Sequence, residues 1–595
     1  MKTVVELLTD ELKKAFAECG YDEQYAKVTV SNRPDLCEYQ CNGAMAAAKA
    51  YKKAPFMIAD DVAAKLAGSE VFEKVESVKP GFINLSLGGE FLKNYLADMA
   101  KDDKYGYSNA GKEKTVIVDY GGESGHGGGA NAAKPLHVGH LRSAVIGESI
   151  KRIQRFAGNK VIGDVHLGDW GLQMGLIIEE LRDRKPELVY FDENYKGEYP
   201  KEAPFTISEL EEIYPAASAK SKEDPAFMER AHLATAKLQN GDPACTAIWN
   251  HIMAVSKADL KKNYDNLDVT FDLWKGESDA QPYIPDMIQK MIDDGIAHES
   301  QGAIVVDIQE ETDTKELPPC IVRKSDGAAL YATSDLATLV EREKLYSPDA
   351  YIYLADKRQE LHFTQVFRTA KKAGIVPQDA DMTFLGFGTM NGKDGKPFKT
   401  RSGGVMRLQY LIEDIDKAVY EKSSENRSMS EEEAKNTAKI VGLAALKYGD
   451  LSNQASKDYV FDIDRFTSFE GNTGPYILYT VVRIKSIFNK YAENGGRPEE
   501  CSIDTAKNAS EKKLMLSLVK FNEVFESAYK DNAPHKLCQF IYEVADAFGG
   551  FYHDTMILAE TDEKKKQGYI ALLGLTRNVL ECCLDLLGIR TPERM

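Results

Sequence analysis

The segment His137-Val-Gly-His140 sets two imidazoles on either side of a glycine, after a glycine-rich stretch and before a helical pattern that begins near Leu141. Imidazole N–H groups donate hydrogen bonds to phosphate oxygens, and Gly139 lets a nucleotide approach the backbone closely. Lys134 adds a positive charge three residues earlier. The cluster predicts a nucleotide-phosphate site at the start of a helix; two surface histidines in a turn are the alternative interpretation.

A second cationic segment, residues 392–404, places Lys393, Lys396, Lys399 and Arg401 among four glycines. Cations on a glycine-rich segment are suited to a triphosphate, because they can stabilise the charge that grows on a departing pyrophosphate. Without the histidine segment, a solvated basic loop would be the simpler interpretation. Together the two segments predict a reaction at the phosphates of a nucleotide.

The elements that must position these residues follow an α/β pattern. From Lys114, short apolar runs alternate with helical segments and lie at residues 116–120, 160–166, 303–307, 350–354 and 383–387. This alternation predicts a doubly wound parallel sheet, whose ligands collect at the carboxyl ends of the strands. Residues 181–260 are charged and helical, and we interpret them as an insertion in this domain, which is predicted to span residues 109–405.

Different patterns flank the sheet domain. Residues 1–108 begin with an amphipathic helix whose apolar face includes Val4 and Phe16, and they continue with strand-like runs, which predicts a small α+β domain. Beyond the sheet domain the strand-like runs stop. Residues 406–455 are predicted to form a helical connection and residues 456–595 a helical bundle.

The composition limits the class of protein. A chain of 595 residues is too long for one hydrophobic core and is predicted to have several domains. The formal net charge of −18 argues against a protein that coats nucleic acid indiscriminately, although a local basic face can still bind a specific RNA. No apolar run is long enough to span a membrane, the start does not look like a signal peptide, and the nine cysteines are scattered. We therefore expect a cytoplasmic protein without a membrane segment, a disulfide framework or a metal site.

The sequence Asn131-Ala-Ala-Lys-Pro-Leu-His-Val-Gly-His-Leu-Arg142 resembles the HIGH signature of class I aminoacyl-tRNA synthetases, and most closely that of the arginyl-tRNA synthetases. The 392–404 segment resembles their KMSKS loop in a degenerate Lys-Thr-Arg-x-Gly-Gly form. In such members the lysine before HIGH supplies the missing charge, which here points to Lys134. The catalytic residues that the resemblance implies are Lys134, His137, His140, Lys396, Lys399 and Arg401. It also implies that ATP, accompanied by Mg²⁺, contacts His137, Gly139, His140, Gly388 and Lys399.

An arginine substrate needs carboxylates, because a guanidinium has five N–H donors that a binding site must pair. Leu330-Tyr-Ala-Thr-Ser-Asp-Leu-Ala337 resembles a family segment whose Tyr and Asp contact the substrate side chain, and in a helix these two would share one face. A surface hydrogen bond or a helix cap is the alternative for each such residue taken alone. The substrate-binding residues that the resemblance implies are Asn131, Glu277, Tyr331, Asp335 and Gln359.

Residues 461–484 resemble the opening of the family's anticodon-binding domain. Aromatic side chains lie there among Arg465, Arg483 and the adjacent Lys485, and such a mixture can stack on unpaired bases and contact phosphates. Packing inside a bundle is the alternative for most of these aromatics. The last residues, 588–595, also resemble the family's ending, so the resemblance spans essentially the whole chain.

The resemblance implies a Rossmann-like parallel-sheet catalytic domain between a small α+β N-terminal domain and an all-α C-terminal bundle, both of which contact tRNA. The implied activity is ATP-dependent ligation of L-arginine to tRNA(Arg) through an arginyl-adenylate. We expect a monomer whose activation step requires bound tRNA.

One segment departs from the family pattern. Residues 123–129, Glu-Ser-Gly-His-Gly-Gly-Gly, look like an insertion before HIGH. A flexible insertion adds little loop-closure entropy, but a small displacement of a positioning group can cost a large factor in rate. A catalytically impaired RNA-binding paralogue is therefore the alternative function. Two further alternatives are disfavoured: a nucleotidyltransferase that makes a small cofactor needs no helical RNA-binding domain, and a cysteinyl enzyme is expected to show zinc ligands.

Overall fold

The computed structural model describes residues 1–109, 111–122, 130–134, 136–325, 327–396, 406–423 and 429–595. The chain forms two units. The first comprises Met1–Ala110, Phe469–Asp585 and Arg590–Met595, and the second comprises Gly111–Ser468 and Leu586–Ile589. The glycine-rich segment 123–129 and the part of the cationic loop that carries Lys399 and Arg401 lie outside the described residues. The finer domain boundaries expected from the sequence stay predictions.

The amino-terminal part of the first unit is an antiparallel sheet with helices packed on it. The elements are α1 (Val4–Glu18), β1 (Val28–Val30), β2 (Tyr39–Cys41), α2 (Gly43–Tyr51), α3 (Pro55–Leu66), β3 (Phe72–Val78), β4 (Phe82–Leu87) and α4 (Gly89–Met99). The strand order is β1-β2-β4-β3. Thr3 caps α1, because its hydroxyl accepts a hydrogen bond from the Glu6 N–H while the Glu6 carboxylate accepts one from the Thr3 N–H. Val4 and Phe16 are buried, which confirms the predicted amphipathic helix.

The second unit carries the nucleotide-site motif. Its strands are β5 (Thr115–Asp119), β6 (Ala130–Asn131), β7 (Lys160–Asp164), β8 (Leu167–Gly168), β9 (His298–Ser300), β10 (Ala303–Val306), β11 (Cys320–Arg323), β12 (Ala350–Asp356), β13 (Asp381–Phe387), β14 (Met390–Asn391) and β15 (Tyr459–Val460). Its helices are α5 (Val138–Phe156), α6 (Leu172–Arg184), α7 (Ile207–Glu223), α8 (Pro225–Gln239), α9 (Pro243–Asn266), α10 (Glu277–Ala280), α11 (Ile284–Asp293), α12 (Tyr331–Tyr346), α13 (Glu360–Lys372), α14 (Leu408–Ser423), α15 (Glu431–Leu451) and α16 (Ile463–Phe466).

The central sheet of this unit is parallel, with the strand order β13-β12-β5-β7. Every residue of β12 is buried, as expected of a strand covered on both faces of a parallel sheet. The strands end in acidic residues, Asp119 in β5, Asp164 in β7 and Asp356 in β12. The predicted parallel sheet is confirmed, and three aspartates lie at its carboxyl edge.

One predicted strand belongs to a different sheet. Residues 303–307 were expected in the parallel sheet, but β10 pairs antiparallel with β9 and β11 in a separate sheet. Gln301 and Gly302 form a two-residue turn in which both φ angles are positive, 52° and 80°. Such a turn joins antiparallel strands into a hairpin, so it excludes β10 from a parallel crossover. A second expectation is also wrong, because β15 forms a short strand, paired with β14, beyond the point where strands were expected to stop.

The predicted helical insertion, residues 181–260, is confirmed in its secondary structure by α7, α8 and most of α9. Helix α7 contains Pro215, which lacks an N–H and therefore leaves the carbonyl of Glu211 without its helical donor.

The carboxyl-terminal part of the chain is helical, as predicted. Its helices are α17 (Gly474–Glu493), α18 (Ala509–Leu518), α19 (Phe521–Lys530), α20 (Pro534–Asp554) and α21 (Glu563–Leu586). Pro534 occupies the first turn of α20, where a missing N–H costs nothing. Leu537, Ile541 and Val544 of that helix are fully buried. In the part of the chain that the structure describes, no helix is long and apolar enough to cross a membrane.

Candidate active site

Helix α5 begins at the carboxyl edge of the sheet, and its amino end carries both motif histidines. His137 is the N-cap residue, and its Nδ1 accepts a hydrogen bond from the Gly139 N–H at 3.0 Å. The Nδ1 of His140 accepts a hydrogen bond from the His137 N–H at 3.1 Å, and the ring centroids lie 4.2 Å apart. Because each Nδ1 acts as an acceptor, the proton of each neutral ring is on Nε2. The amino end of α5 therefore combines two Nε2–H donors with the positive end of a helix dipole.

Lys134 lies just before this helix, against the inserted helix α7. Its Nζ is 5.0 Å from the centroid of the Tyr214 ring, which is within cation–π range. On the same helix, Glu211 forms an ion pair of 2.6 Å with Arg407. The backbone of Arg407 forms an isolated antiparallel β-bridge with that of His137. The insertion therefore borders the histidine motif, which the sequence did not predict.

Two carboxylates, Asp169 and Asp335, lie close enough to a third acidic side chain, Glu277, to act on it by their charge. Burial, followed by the charges of Asp169 and Asp335, raises the pKa of Glu277 to about 8. Burial also raises the pKa of Asp169, although hydrogen bonds from Ser278 oppose that shift. Glu277 in turn contributes to a raised pKa of Tyr331, whose main cause is burial. A cation placed here would relieve this repulsion.

A strip of short parallel pairings brings distant segments to this acidic cluster. Asn131 in β6 pairs with Gly168 in β8, and Leu167 bridges to Gly276. Asp169 accepts hydrogen bonds from the Ser278 N–H at 3.0 Å and the Ser278 hydroxyl at 2.6 Å. The backbone of Asn131 therefore lies one strand away from the segment that presents Glu277. The side chain of Asn131 lies outside the described part of the structure.

Tyr331 and Asp335 lie in the first turns of α12, as predicted, and Asp335 contacts a histidine that the prediction did not include. The Nε2 of His362 lies 2.5 Å from an Asp335 carboxylate oxygen. Gln359 is the N-cap residue of α13, three residues before His362, and it is partly exposed. The structure therefore brings Glu277, Tyr331 and Asp335 together, and Gln359 caps the helix whose His362 contacts Asp335.

A buried arginine lies behind the acidic cluster. Arg342, further along α12 than Asp335, donates hydrogen bonds to Asp119 at 2.5 Å, to Asp164 at 2.7 Å and to the Tyr353 hydroxyl at 2.8 Å. It is only 2% exposed, so these contacts form in a low-dielectric environment. Arg342 thus joins the carboxyl ends of β5 and β7 to the helix that carries Tyr331 and Asp335.

Gly388, expected at the nucleotide, lies at the end of β13 against residues 455–458. A Cβ at this position would lie 2.5 Å from both the Asp458 carboxylate and the Lys457 backbone. Its N–H donates to the Ala455 carbonyl, and its own carbonyl accepts a hydrogen bond from Arg142 at 2.8 Å. Close backbone packing therefore explains why a glycine is needed here, and a role toward ATP stays a prediction.

The cationic loop is described only as far as Lys396, which is exposed. Lys393 forms ion pairs with Asp462 at 3.1 Å and Asp464 at 3.5 Å. Lys399 and Arg401 lie outside the described residues, so their assignment also stays a prediction.

In the first unit, Arg483 lies between two exposed aromatic rings. Its guanidinium carbon is 4.5 Å from the Tyr479 ring centroid and 4.9 Å from that of Tyr552, and these tyrosines are 37% and 41% exposed. Lys485, expected to contact phosphates, is instead paired with Glu581 and Glu593. Arg465 is exposed in the second unit.

Comparisons with known families match three parts of the chain. The family described as "Arginyl tRNA synthetase N terminal domain" matches residues 2–87, "tRNA synthetases class I (R), catalytic domain" matches residues 95–463, and "DALR anticodon binding domain" matches residues 477–595.

Individual relatives match over the whole length. Proteins named arginine–tRNA ligase are 63% identical in Agathobacter rectalis over 604 residues and 55% identical in Alkaliphilus oremlandii over 595 residues, each with 100% of both chains covered. A solved arginyl-tRNA synthetase from Plasmodium falciparum has a TM-score of 0.80 at 26% identity and covers both chains fully. The Thermus thermophilus arginyl-tRNA synthetase shares the fold, with a TM-score of 0.75 at 21% identity over both complete chains.

Proposed function

Because the chain belongs to the arginyl-tRNA synthetase family, which joins arginine to tRNA in an ATP-dependent reaction, we propose which of its residues bind each substrate. The matches give no support to the catalytically impaired alternative. The geometry of the second unit and the positive end of α5 support this proposal.

The arginine side chain is assigned to the acidic cluster. Glu277 and Asp335 would pair with the guanidinium, and the Tyr331 hydroxyl would take part at its edge. The observation that carries this assignment is the position of Glu277 next to Asp169 and Asp335: burial, followed by the charges of these two carboxylates, raises the pKa of Glu277 to about 8, and a guanidinium cation would offset this shift. Asn131 is proposed to bind the backbone end of the amino acid. Gln359 is proposed to line the outer part of the pocket.

ATP is assigned to the amino end of α5. The Nε2–H groups of His137 and His140 would donate to phosphate oxygens, Gly139 would allow close approach, and Lys134 would add a mobile positive charge. Gly388 belongs to the same proposed site. Lys396, Lys399 and Arg401 would stabilise the pyrophosphate as its charge grows.

Mg²⁺ is proposed to accompany the nucleotide. Among the described residues, no cluster of three His, Cys, Asp or Glu side chains could hold a metal ion. Mg²⁺ with a nucleotide is usually bound by phosphate oxygens and water, together with one or two carboxylates. The ion would neutralise phosphate charge.

The reaction then follows from positioning. A carboxylate oxygen of arginine attacks the α-phosphorus of ATP, the bond from that phosphorus to the bridging oxygen breaks, and pyrophosphate leaves. The 2′-OH of the terminal tRNA ribose next attacks the arginyl carbonyl, and AMP leaves. The protein's contribution is to orient the two substrates and to stabilise the charge that moves onto the leaving groups.

The tRNA anticodon is assigned to the first unit. Tyr479, Arg483 and Tyr552 present exposed rings around a guanidinium, a combination on which unpaired bases stack. We further propose that the amino-terminal part contacts tRNA, that the enzyme acts as a cytoplasmic monomer, and that the activation step requires tRNA.

The test of the pocket is Asp335→Asn, measured by charging of tRNA with labelled arginine and by ATP binding. We expect the KM for arginine to rise roughly 30-fold or more, because a buried ion pair loses one charge, while ATP binding stays near wild type. Exposed Asp381 at the start of β13 supplies a matched Asp→Asn control. An unchanged KM for arginine in Asp335→Asn would remove Asp335 from the pocket.

A further inference from the structure

His362 contacts the carboxylate to which the substrate guanidinium is assigned. It lies on α13, Asp335 lies on α12, and the 2.5 Å between Nε2 and the carboxylate oxygen joins the two helices. The side chains are 21% and 23% exposed, so the pair is largely shielded but still reached by solvent. The imidazole also packs against the Phe363 ring, with the two rings nearly perpendicular and their centroids 5.1 Å apart.

Among the residues that the structure describes, the other groups that face Asp335 are acidic or neutral, and one cation, Arg342 of α12, lies on the Tyr353 side, where it donates to the Tyr353 hydroxyl at 2.8 Å and is paired with Asp119 and Asp164. Glu277 of α10 feels the charge of Asp335, which adds to burial and the charge of Asp169 in raising its pKa to about 8. Cys320 of β11 and Tyr353 of β12 face Asp335 and have raised pKa values, caused mainly by burial. Phe384 of β13 packs on Phe363.

The two cations on the turn just before α13, Lys357 and Arg358, are paired with other carboxylates. Lys357 binds Asp458 at 2.8 Å, and Arg358 binds Asp356 at 2.8 Å. Burial lowers the pKa of His362, but the hydrogen bond and charge of Asp335 outweigh burial and raise it above its ordinary value. The raised pKa favours the imidazolium form of His362 beside Asp335.

We propose that His362 holds Asp335 as its counter-ion while the pocket is empty, and that it gives up its proton to solvent when the guanidinium of arginine pairs with that carboxylate. The inference rests on the proposed assignment of Asp335 to the arginine pocket. His362 acts through Asp335 and is a positioning residue. The proton leaves from Nδ1 of the imidazolium, so Nε2 keeps its hydrogen, the neutral ring still donates to Asp335, and no other bond changes.

The physical reason is that two full positive charges beside one carboxylate repel each other, which raises the free energy of the complex. When arginine enters, its guanidinium brings a permanent charge next to Asp335, and repulsion lowers the affinity of His362 for its proton. Proton release then couples arginine affinity to pH. By linkage, the release of one proton on binding makes the Kd for arginine fall by up to about tenfold for each unit that the pH rises.

The experiment is calorimetric titration of the full-length enzyme with arginine at several values between pH 6 and pH 8. Each titration is run in two buffers of different protonation enthalpy, which gives the protons released per arginine bound. His362→Gln keeps an N–H donor at the position of Nε2 but cannot titrate. His298→Gln is the matched control, because His298 is 53% exposed in β9 and faces Asp307 at 3.9 Å.

We expect His362→Gln to bind arginine but to release fewer protons than wild type, by a large fraction of one proton per arginine, and to lose part of the pH dependence of Kd. The control should match wild type. Glu277 can also release a proton, so the difference between the two proteins at one pH is the quantity that decides. His362→Asn provides a second non-titrating side chain if His362→Gln does not fold.

Equal proton release by wild type and either folded variant, at similar affinity, would overturn the role of His362. A separate result would show that the premise, the assignment of Asp335 to the arginine pocket, is wrong. If Asp335→Asn binds arginine as tightly as wild type, the pocket assignment is wrong. If Asp335→Asn loses affinity while His362→Gln keeps the wild-type proton count, only the inference about His362 is wrong.

Discussion

Arg342 and Asp164 form an ion pair of 2.7 Å whose two side chains are 2% and 1% exposed. Asp164 ends strand β7, and Arg342 lies on α12, two turns beyond Asp335. The pair therefore fixes the helix of the proposed arginine pocket to the carboxyl edge of the parallel sheet. Breaking a buried pair leaves an uncompensated charge in a medium that solvates it poorly.

Arg342→Met is predicted to destabilise the enzyme by about 3–5 kcal/mol, because Asp119 and Asp164 would remain buried without their cation. The measurement is thermal unfolding of the purified variant beside wild type. Arg358→Met is the matched control, since Arg358 pairs with Asp356 but is 69% exposed at its side chain. Equal melting temperatures for Arg342→Met and wild type would show that the buried pair contributes nothing to stability.

Glu277→Gln is predicted to stabilise the free enzyme at pH 8 and to weaken arginine binding. Burial, with the charges of Asp169 and Asp335, raises the pKa of Glu277 from 4.5 to about 8, so the folded state holds a proton that the unfolded state has lost between those values. Folding stability from this group therefore falls as the pH rises through that window, and glutamine removes the fall.

Two measurements check this prediction. The difference between the melting temperatures at pH 5 and pH 8 should be smaller in Glu277→Gln than in wild type. The KM for arginine should rise roughly 30-fold or more. A wild-type pH dependence in the variant would show that Glu277 is not the buried acid responsible.

The local parts of the site could be predicted from the sequence. The strand, loop and helix around His137 lie within one short stretch, and the β-branched run, the glycines and the helical spacing each report on their own neighbourhood. The same holds for Tyr331 and Asp335, which occupy one helix. The parallel sheet was predictable because its strands alternate with helices.

The long-range parts could not be predicted. Asp119, Asp164 and Arg342 are far apart in the chain, and their types alone do not say that they meet. His362 and Asp335 belong to different helices for the same reason. Strand β10 was assigned to the wrong sheet because Gln301-Gly302 is not among the common hairpin turn pairs, although it adopts their left-handed geometry.

His137→Asn is predicted to lower kcat for arginine-dependent charging by about 100- to 1,000-fold, the loss expected when one preorganised donor to a developing charge is removed. The asparagine oxygen can still accept the Gly139 N–H, so the cap of α5 and the melting temperature should be kept. His137→Gln is the paired variant, because its amide N–H reaches toward the position of Nε2 and should restore part of the rate. A large loss of stability in His137→Asn would instead mean that the histidine is needed as a cap.

Tyr552→Ala tests the proposed anticodon contact in the first unit. The Tyr552 ring is 41% exposed and stacks on Arg483, so its removal deletes a stacking surface without opening a core cavity. Base–aromatic stacking contributes about 1–3 kcal/mol, so the KM for tRNA should rise roughly 5- to 100-fold. The KM values for arginine and ATP should stay unchanged, because those substrates are assigned to the second unit. Tyr410, also an exposed tyrosine but on α14 of the second unit, supplies the matched Tyr→Ala control. An unchanged KM for tRNA in Tyr552→Ala would move the base contact away from this pair of tyrosines.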